Sequence, residues 1–325
     1  WLKANYPVEF FAASMCLDIN NTDKLNIFIK ASKKLNINIL PPDINYSFSE
    51  FSVEKVENKN YAIRYGLSAV KNVGKQAMDN LVLERNTNGN FKSIAEFASR
   101  INPSEINKRQ LESIAKSGSF DSIENNRASI FSSTEKILKF SSKIYEDKLS
   151  KQSNLFGDKI KDEEMNLEII QNWSELDILK EEFDSIGFYL SSHPLDTYKN
   201  GLERLGVISY HKISSKFQSG DGKLLLAGSI ESVQERISAK GNKYAFVQLS
   251  DLSGSYEVVF FSEPFNKYRE QMFIGNRVLL FADYRFNEGQ LRIAVNIVKD
   301  LDESLSNSQE CLEINFSRHS EKETM

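Results

Sequence analysis

The run Lys71-Asn72-Val73-Gly74-Lys75 sets two ammonium groups around a turn that contains a glycine. Leu67, Ala69 and Val70 make a small apolar face before it, and Ala77, Leu81 and Val82 make the next, so the spacing predicts a helix-hairpin-helix. A glycine there lets the backbone approach a phosphate, and the amides that open the second helix donate to it from the positive end of the helix dipole. The competing reading is an ordinary helical corner with Gly74 as a cap. A second helical pair is expected over 94–101 and 106–115, joined through Asn102-Pro103-Ser104 and bearing Lys108 and Arg109. Its turn lacks the apolar-glycine signature, so a purely structural role stays open.

A different chemistry is written into Lys240, Lys243, Tyr244 and Phe246. In this stretch Ala245, Val247 and Leu249 share one face of a strand and Tyr244, Phe246 and Gln248 share the other. An aromatic ring on a strand face stacks on a nucleobase whichever base it is, and lysines beside it neutralise phosphates. The bland alternative is that one of the two rings closes a barrel end as core.

The third feature is "KQSNLFGD", in which Gln152 precedes the adjacent pair Leu155-Phe156 within a polar stretch. Two large apolar neighbours in such a place either pack back on their own domain or fit a pocket elsewhere.

The elements that must position these residues follow from periodicity. Residues 1–38 have helical spacing, with Phe10, Phe11 and Met15, then Leu25, Phe28, Ile29 and Ala31, as two packed helices. Pro41-Pro42 stops them, and residues 48–64 alternate as a hairpin turning near 57–60. Strands are expected over 224–236, 244–250 and 256–261, then a helix over 264–272, then strands over 277–284 and 290–298. Three strands, a helix and two strands is the order of an OB-fold, whose second and third strands commonly form a nucleic-acid platform. The expected fold is therefore multidomain, α then β: a helical region with helix-hairpin-helix elements followed by a five-stranded OB barrel.

Charge is segregated along the chain. The total is -4 over 325 residues, yet residues 54–118 hold 11 basic against 7 acidic groups, net +4, and 158–185 hold 3 against 10, net -7. Residues 222–299 are net +2 (10 against 8) and 300–325 net -5 (2 against 7). The two basic segments suit a polyanion, although a mild excess is also what a solvated face carries. Apolar runs such as 278–282 fall far below the ~18 residues of a membrane helix, and no signal peptide opens the chain, which reads as cytoplasmic. Cys16 and Cys311 lack a CxxC pattern and the three histidines are scattered, so neither disulfide nor zinc is expected. The start at Trp1 without methionine suggests a piece of a longer protein.

The run "FDSIGFYLSSHPLD", 183–196, resembles the G-x-Y-L-x-x-H-P-L signature of the alpha subunit of bacterial replicative DNA polymerase III. "WLKANYPVEFFAASM" resembles the end of that family's fingers domain, "YGLSAVKNVG" with "NKRQLESIAKSGSFD" its hairpin pair, and "YAFVQLSDLSGSYEVVFF" its OB domain. The likeness runs in the family's order over residues 1 to about 300. It implies fingers to residue 50, a tandem hairpin and clamp-binding domain over 51–157, an acidic connector over 158–221, the OB-fold over 222–300 and an acidic tail over 301–325. It also implies that Gln152, Leu155 and Phe156 match the family's internal clamp-binding motif, Q-x-x-L/M-F. Duplex DNA would be held by Lys71, Val73, Gly74, Lys75, Lys108 and Arg109, and single-stranded DNA by Lys240, Lys243, Tyr244 and Phe246. The beta sliding clamp and other replicase subunits are the implied protein partners.

Catalytic residues are not expected in this chain. The family's nucleotidyl transfer uses aspartates that hold Mg²⁺ in a palm domain upstream, and here Asp251 falls in an OB turn while Asp300 and Asp302 fall in the acidic end. His193, followed by Pro194, is expected only to fix the bend out of a helix. Two other classes combine related modules. A repair or recombination factor has no reason for the 1–50 helices or for Gln152 to Phe156, and a synthetase that reads anticodons would show catalytic motifs that are missing.

Overall fold

The computed structural model describes residues 1–56, 60–149, 165–216, 220–238, 241–287 and 290–306. The chain divides into two compact units, Trp1–Pro194 and Leu195–Met325. The stretch read from sequence as a connector, 158–221, thus contributes to both.

The first unit begins with α1 (Leu2–Asn5), α2 (Pro7–Leu17) and α3 (Thr22–Lys34). Proline at the first position of α2 and the Asn21 side chain accepting from the Lys24 amide at the start of α3 set these helices. Phe11, Met15, Leu25 and Ile29 are buried between them, as helical spacing requires. A small sheet follows, with β1 (Ile39–Leu40), β2 (Ser52–Lys55) and β3 (Tyr61–Arg64) in the order β1-β3-β2. The antiparallel β2–β3 pair is the expected hairpin, with Lys55 opposite Tyr61. Strand β1, parallel to β3, is an addition that two residues are too short to announce by alternation.

Helices α4 (Lys75–Asn88), α5 (Ile94–Arg100), α6 (Lys108–Lys116), α7 (Arg127–Ser132), α8 (Thr134–Leu149) and α9 (Glu175–Ile186) complete this unit. The segment before the hairpin turn is one 3-10 turn, Leu67–Ala69, instead of an α-helix. Its backbone is claimed from outside: the Leu67 and Ser68 amides each donate 2.9 Å bonds to the Phe48 and Ser49 carbonyls. Gly66 makes that approach possible, because a Cβ there would stand 2.5 Å from the Glu50 carbonyl carbon. The core runs from Phe11 and Met15 through Tyr65, Leu67 and Met78 to an edge-to-face series, Phe91–Phe97–Phe120, with centroids 5.4 and 4.9 Å apart.

The second unit is built on a closed barrel. Helices α10 (Lys199–Arg204) and α11 (Tyr210–Lys216) precede β4 (Gly220–Ile237), β5 (Lys243–Asp251), β6 (Gly254–Phe260), α12 (Ser262–Tyr268), β7 (Arg277–Asn287), β8 (Gln290–Asp300) and α13 (Leu301–Ser306). The order around the barrel is β4-β5-β6-β8-β7, with the long β4 bonded to both β5 and β7. This is the expected OB arrangement. Leu224, Leu226, Val247, Leu249, Val258, Leu280, Ile293 and Val295 fill the interior at the inward positions of their strands. No helix among the described residues is long and apolar enough to cross a membrane.

Candidate nucleic-acid interface

In the hairpin the left-handed turn residue is Asn72, at φ +66°, a conformation that asparagine tolerates. Its side-chain amide donates to Ser113 Oγ at 3.2 Å, and the Lys71 amide donates to the Ser185 carbonyl at 2.8 Å. Val73 is buried in the core, so only its backbone faces the turn. Gly74 is the N-cap of α4 with φ -82° and ψ 139°, which any residue adopts. Glycine matters here for what it leaves uncovered: no side chain caps α4, so its opening amides stand without a side-chain acceptor. A Cβ on Gly74 would meet Gln110 Nε2 at 3.4 Å, which places the start of α6 beside the start of α4.

The second hairpin closes itself. Asn107 Oδ1 accepts from the Gln110 amide at 2.9 Å while Gln110 Oε1 accepts from the Asn107 amide at 2.8 Å, a full capping box. The two helix starts therefore share a basic first residue and differ in free donors.

The cations stand in different environments. Lys71 lies over the Phe183 ring, 6.0 Å from its centroid, and desolvation lowers its pKa while the Asp184 carboxylate opposes that shift. Lys75 Nζ is 2.5 Å from Glu50 Oε1, whose hydrogen bond raises the ammonium pKa. Lys108 Nζ is 2.6 Å from Glu135 Oε1 and 3.8 Å from Glu112 Oε1, and its pKa rises, chiefly through the Glu135 hydrogen bond. Arg109 is exposed and has no ion-pair or hydrogen-bond partner among the described residues.

On the barrel, Ala245, Val247 and Leu249 point inward and Tyr244 and Phe246 lie half-buried on the outer face. Their rings meet edge to face at 5.6 Å. Register places Gln234 and Val259 on either side of Phe246, and Arg236 opposite Tyr244. The Arg236 guanidinium lies 5.4 Å from the Phe246 centroid. Arg236 extends this face, and it was not among the residues singled out from sequence. The antiparallel register of β4 and β5 could have found Arg236. Lys243, exposed, opens β5 opposite Ile237; Lys240 lies outside the described residues, as do Gln152, Leu155 and Phe156.

The carboxylates considered for catalysis have structural partners. Asp251 accepts from the Ser253, Gly254 and Tyr210 amides at 2.7, 2.9 and 2.7 Å, Asp300 from the Glu303 amide at 3.0 Å, and Asp302 pairs with Arg277 at 2.7 Å. Among the described residues no group of three or more His, Cys, Asp and Glu could hold a metal ion. The described residues therefore do not fit the Mg²⁺ that the resemblance implies for the complete enzyme. His193 packs edge to face on Tyr189 at 5.4 Å.

The signature run 183–196 makes a buried clamp. Helix α9 ends at Gly187, φ +100°, and Glu182, 1% exposed, turns its Oε1 onto the Leu190 and Ser191 amides at 2.7 and 2.9 Å. Phe188 and Leu190 are thereby held in the core, with Phe188 against Tyr65. Burial, and then the Glu182 charge, push the Tyr65 hydroxyl far above its ordinary pKa.

Family models define the class of both regions. Residues 36–130 match a helix-hairpin-helix motif and residues 224–301 an OB-fold nucleic acid binding domain. Across 98% of the chain, the DNA polymerase III subunit alpha of Caulobacter vibrioides is 35% identical, and 27% of that relative is covered. The same subunit of Borreliella burgdorferi is 34% identical over 93% of this chain and 26% of its own, and that of Pasteurella multocida 31% over 100% and 28%. Over nearly its whole length the chain is similar to bacterial DNA polymerase III alpha subunits, and it spans about a quarter of the length of the relatives it matches. Among solved structures, the mitochondrial single-stranded DNA binding protein Rim1 of S. cerevisiae matches 25% of this chain and 95% of its own at 23% identity, with a TM-score of 0.23.

Proposed function

We propose that this chain is the part of a bacterial replicative DNA polymerase that holds DNA in the cytoplasm and ties the enzyme to its sliding clamp. The observation that carries the reading is the start of α4, where an uncapped helix terminus, a glycine and flanking lysines face outward together. In this reading the α4 amides with Lys71, Lys75, Lys108 and Arg109 grip duplex phosphates, which carry no base information. Tyr244, Phe246, Lys240 and Lys243, extended by Arg236, guide single-stranded template on the barrel. Nucleotidyl transfer and its Mg²⁺ belong to other parts of the full-length polymerase, where other replicase subunits also join.

Gln152, Leu155 and Phe156 form the tether. A glutamine bonds the rim of a groove while the two apolar side chains bury in it, contributing ~3 to 5 kcal/mol.

Two titrations test the reading. Labelled primer–template DNA titrated with the chain at several salt concentrations should bind, with affinity falling linearly in log salt; absence of binding to duplex and single strands alike would remove the DNA-holding role. Purified clamp should bind the chain and fail to bind a Leu155→Ala, Phe156→Ala variant of unchanged melting temperature. Equal binding by both proteins would remove the tether.

A further inference from the structure

Lys75 and Lys108 occupy equivalent places in successive hairpins, each the first residue of its second helix. Each ammonium is already held by a carboxylate from outside its own hairpin. Lys75 is held by Glu50, just before β2, at 2.5 Å, and Lys108 by Glu135, in the first turn of α8, at 2.6 Å. All four side chains are exposed, between 42% and 63%. Exposed ion pairs of this kind add little to folding, so their consequence lies in what the lysines are free to do.

A carboxylate oxygen accepts the same charge-assisted hydrogen bonds from an ammonium that a phosphate oxygen would accept. A DNA phosphate reaching either lysine must therefore displace a glutamate and approach against its negative charge. Arg109, the next residue after Lys108 and without a partner among the described residues, meets no such competition.

We infer that Glu50 and Glu135 are resident stand-ins for DNA phosphates: they occupy the two lysines in the free protein and hold duplex affinity below what the cations alone would give. This inference rests on the helix-hairpin-helix reading above. A weak, displaceable grip suits a surface along which a duplex must slide, since each phosphate contact is exchanged for an internal one of similar geometry.

The test compares the chain with a Glu50→Gln, Glu135→Gln variant, a Lys75→Ala, Lys108→Ala variant and a Glu9→Gln control, which removes an exposed carboxylate that holds neither lysine. Duplex affinity is measured by anisotropy over a salt series, with melting curves to confirm folding. The double glutamine variant should bind about tenfold tighter and show a steeper salt slope, by up to about 0.9 for Lys75 and by less for Lys108, which keeps Glu112 at 3.8 Å, while Glu9→Gln changes little. If the lysine variant weakens binding and the glutamine variant leaves it unchanged or weaker, the carboxylates only orient the lysines and the inference fails. If the lysine variant itself binds as the parent does, the hairpin reading fails first.

Discussion

Gln110 Nε2 stands 3.4 Å from the position a β-carbon would take on Gly74, so the starts of α4 and α6 adjoin and only one of them is capped by a side chain. The same amide side chain that completes the α6 capping box thus borders the open start of α4.

Gly74→Asp follows from that geometry. The backbone at 74 is already in the extended region of an N-cap, and the contact with Gln110 leaves room. An aspartate there would accept from the first-turn amides and leave the melting temperature unchanged or slightly higher. Duplex affinity should fall about tenfold or more, because the donors are taken and a negative charge faces the phosphates. Parallel melting and DNA titration check it; equal affinity would return the turn to a purely structural role.

Phe246→Ala should lower single-strand affinity about tenfold, within the ~1 to 3 kcal/mol that stacking on one base contributes. The half-buried outer position of the ring, across from Gln234 and Val259, predicts little loss of barrel stability. Duplex binding should be nearly unaffected. A large fall in melting temperature with unchanged single-strand affinity would make the ring a packing residue.

Glu182→Ala leaves the buried Leu190 amide and the Ser191 amide without their acceptor. A buried donor left unpaired costs about 1 to 3 kcal/mol, and denaturant unfolding of the first unit should register at least that loss. Added resistance to denaturant would contradict the clamp.

Gly187→Ala and Gly89→Ala form a matched pair. Both glycines have positive φ, +100° and +87°, but a β-carbon at 187 would meet Thr22 Cγ2 at 2.3 Å, whereas nothing lies within 4 Å at 89. Both substitutions bear backbone strain of about 1 kcal/mol or more; only Gly187→Ala adds a collision. Denaturation midpoints should rank Gly187→Ala well below Gly89→Ala.

The pairing of Glu96 implies an acid dependence. The Lys92 amide, and then Arg100, hold its carboxyl below the ordinary glutamate range. A depressed folded pKa contributes stability above the unfolded value and loses it as pH falls through the folded value. Unfolding curves between neutral pH and pH about 3 should therefore show a shallower acid-side decline for Glu96→Gln than for the parent.

The barrel was legible because each strand writes its own period. Alternation over 244–250 already separated Ala245, Val247 and Leu249 from Tyr244 and Phe246, and the succession of three strands, a helix and two strands pointed to an OB-fold. The hairpin's cations were legible by type and spacing, and an asparagine followed three residues later by a glutamine, as at Asn107 and Gln110, is likewise a local pattern. Long-range partners leave no such trace. Glu50 lies 25 residues from Lys75 and Glu135 lies 27 from Lys108, and nothing in local pattern brings a particular glutamate to a particular lysine. The 3-10 turn at Leu67–Ala69 looked like a helix from its apolar spacing, and it became a single turn because carbonyls of 48 and 49 claimed its amides. Sequence by itself determined which residues alternate, which carry charge and where turns fall, since those are properties of neighbours along the chain. Tertiary structure decided which helix start remains open and which lysines are already occupied, because hydrogen bonds and ion pairs are made by whatever the folded backbone brings within about 3 Å.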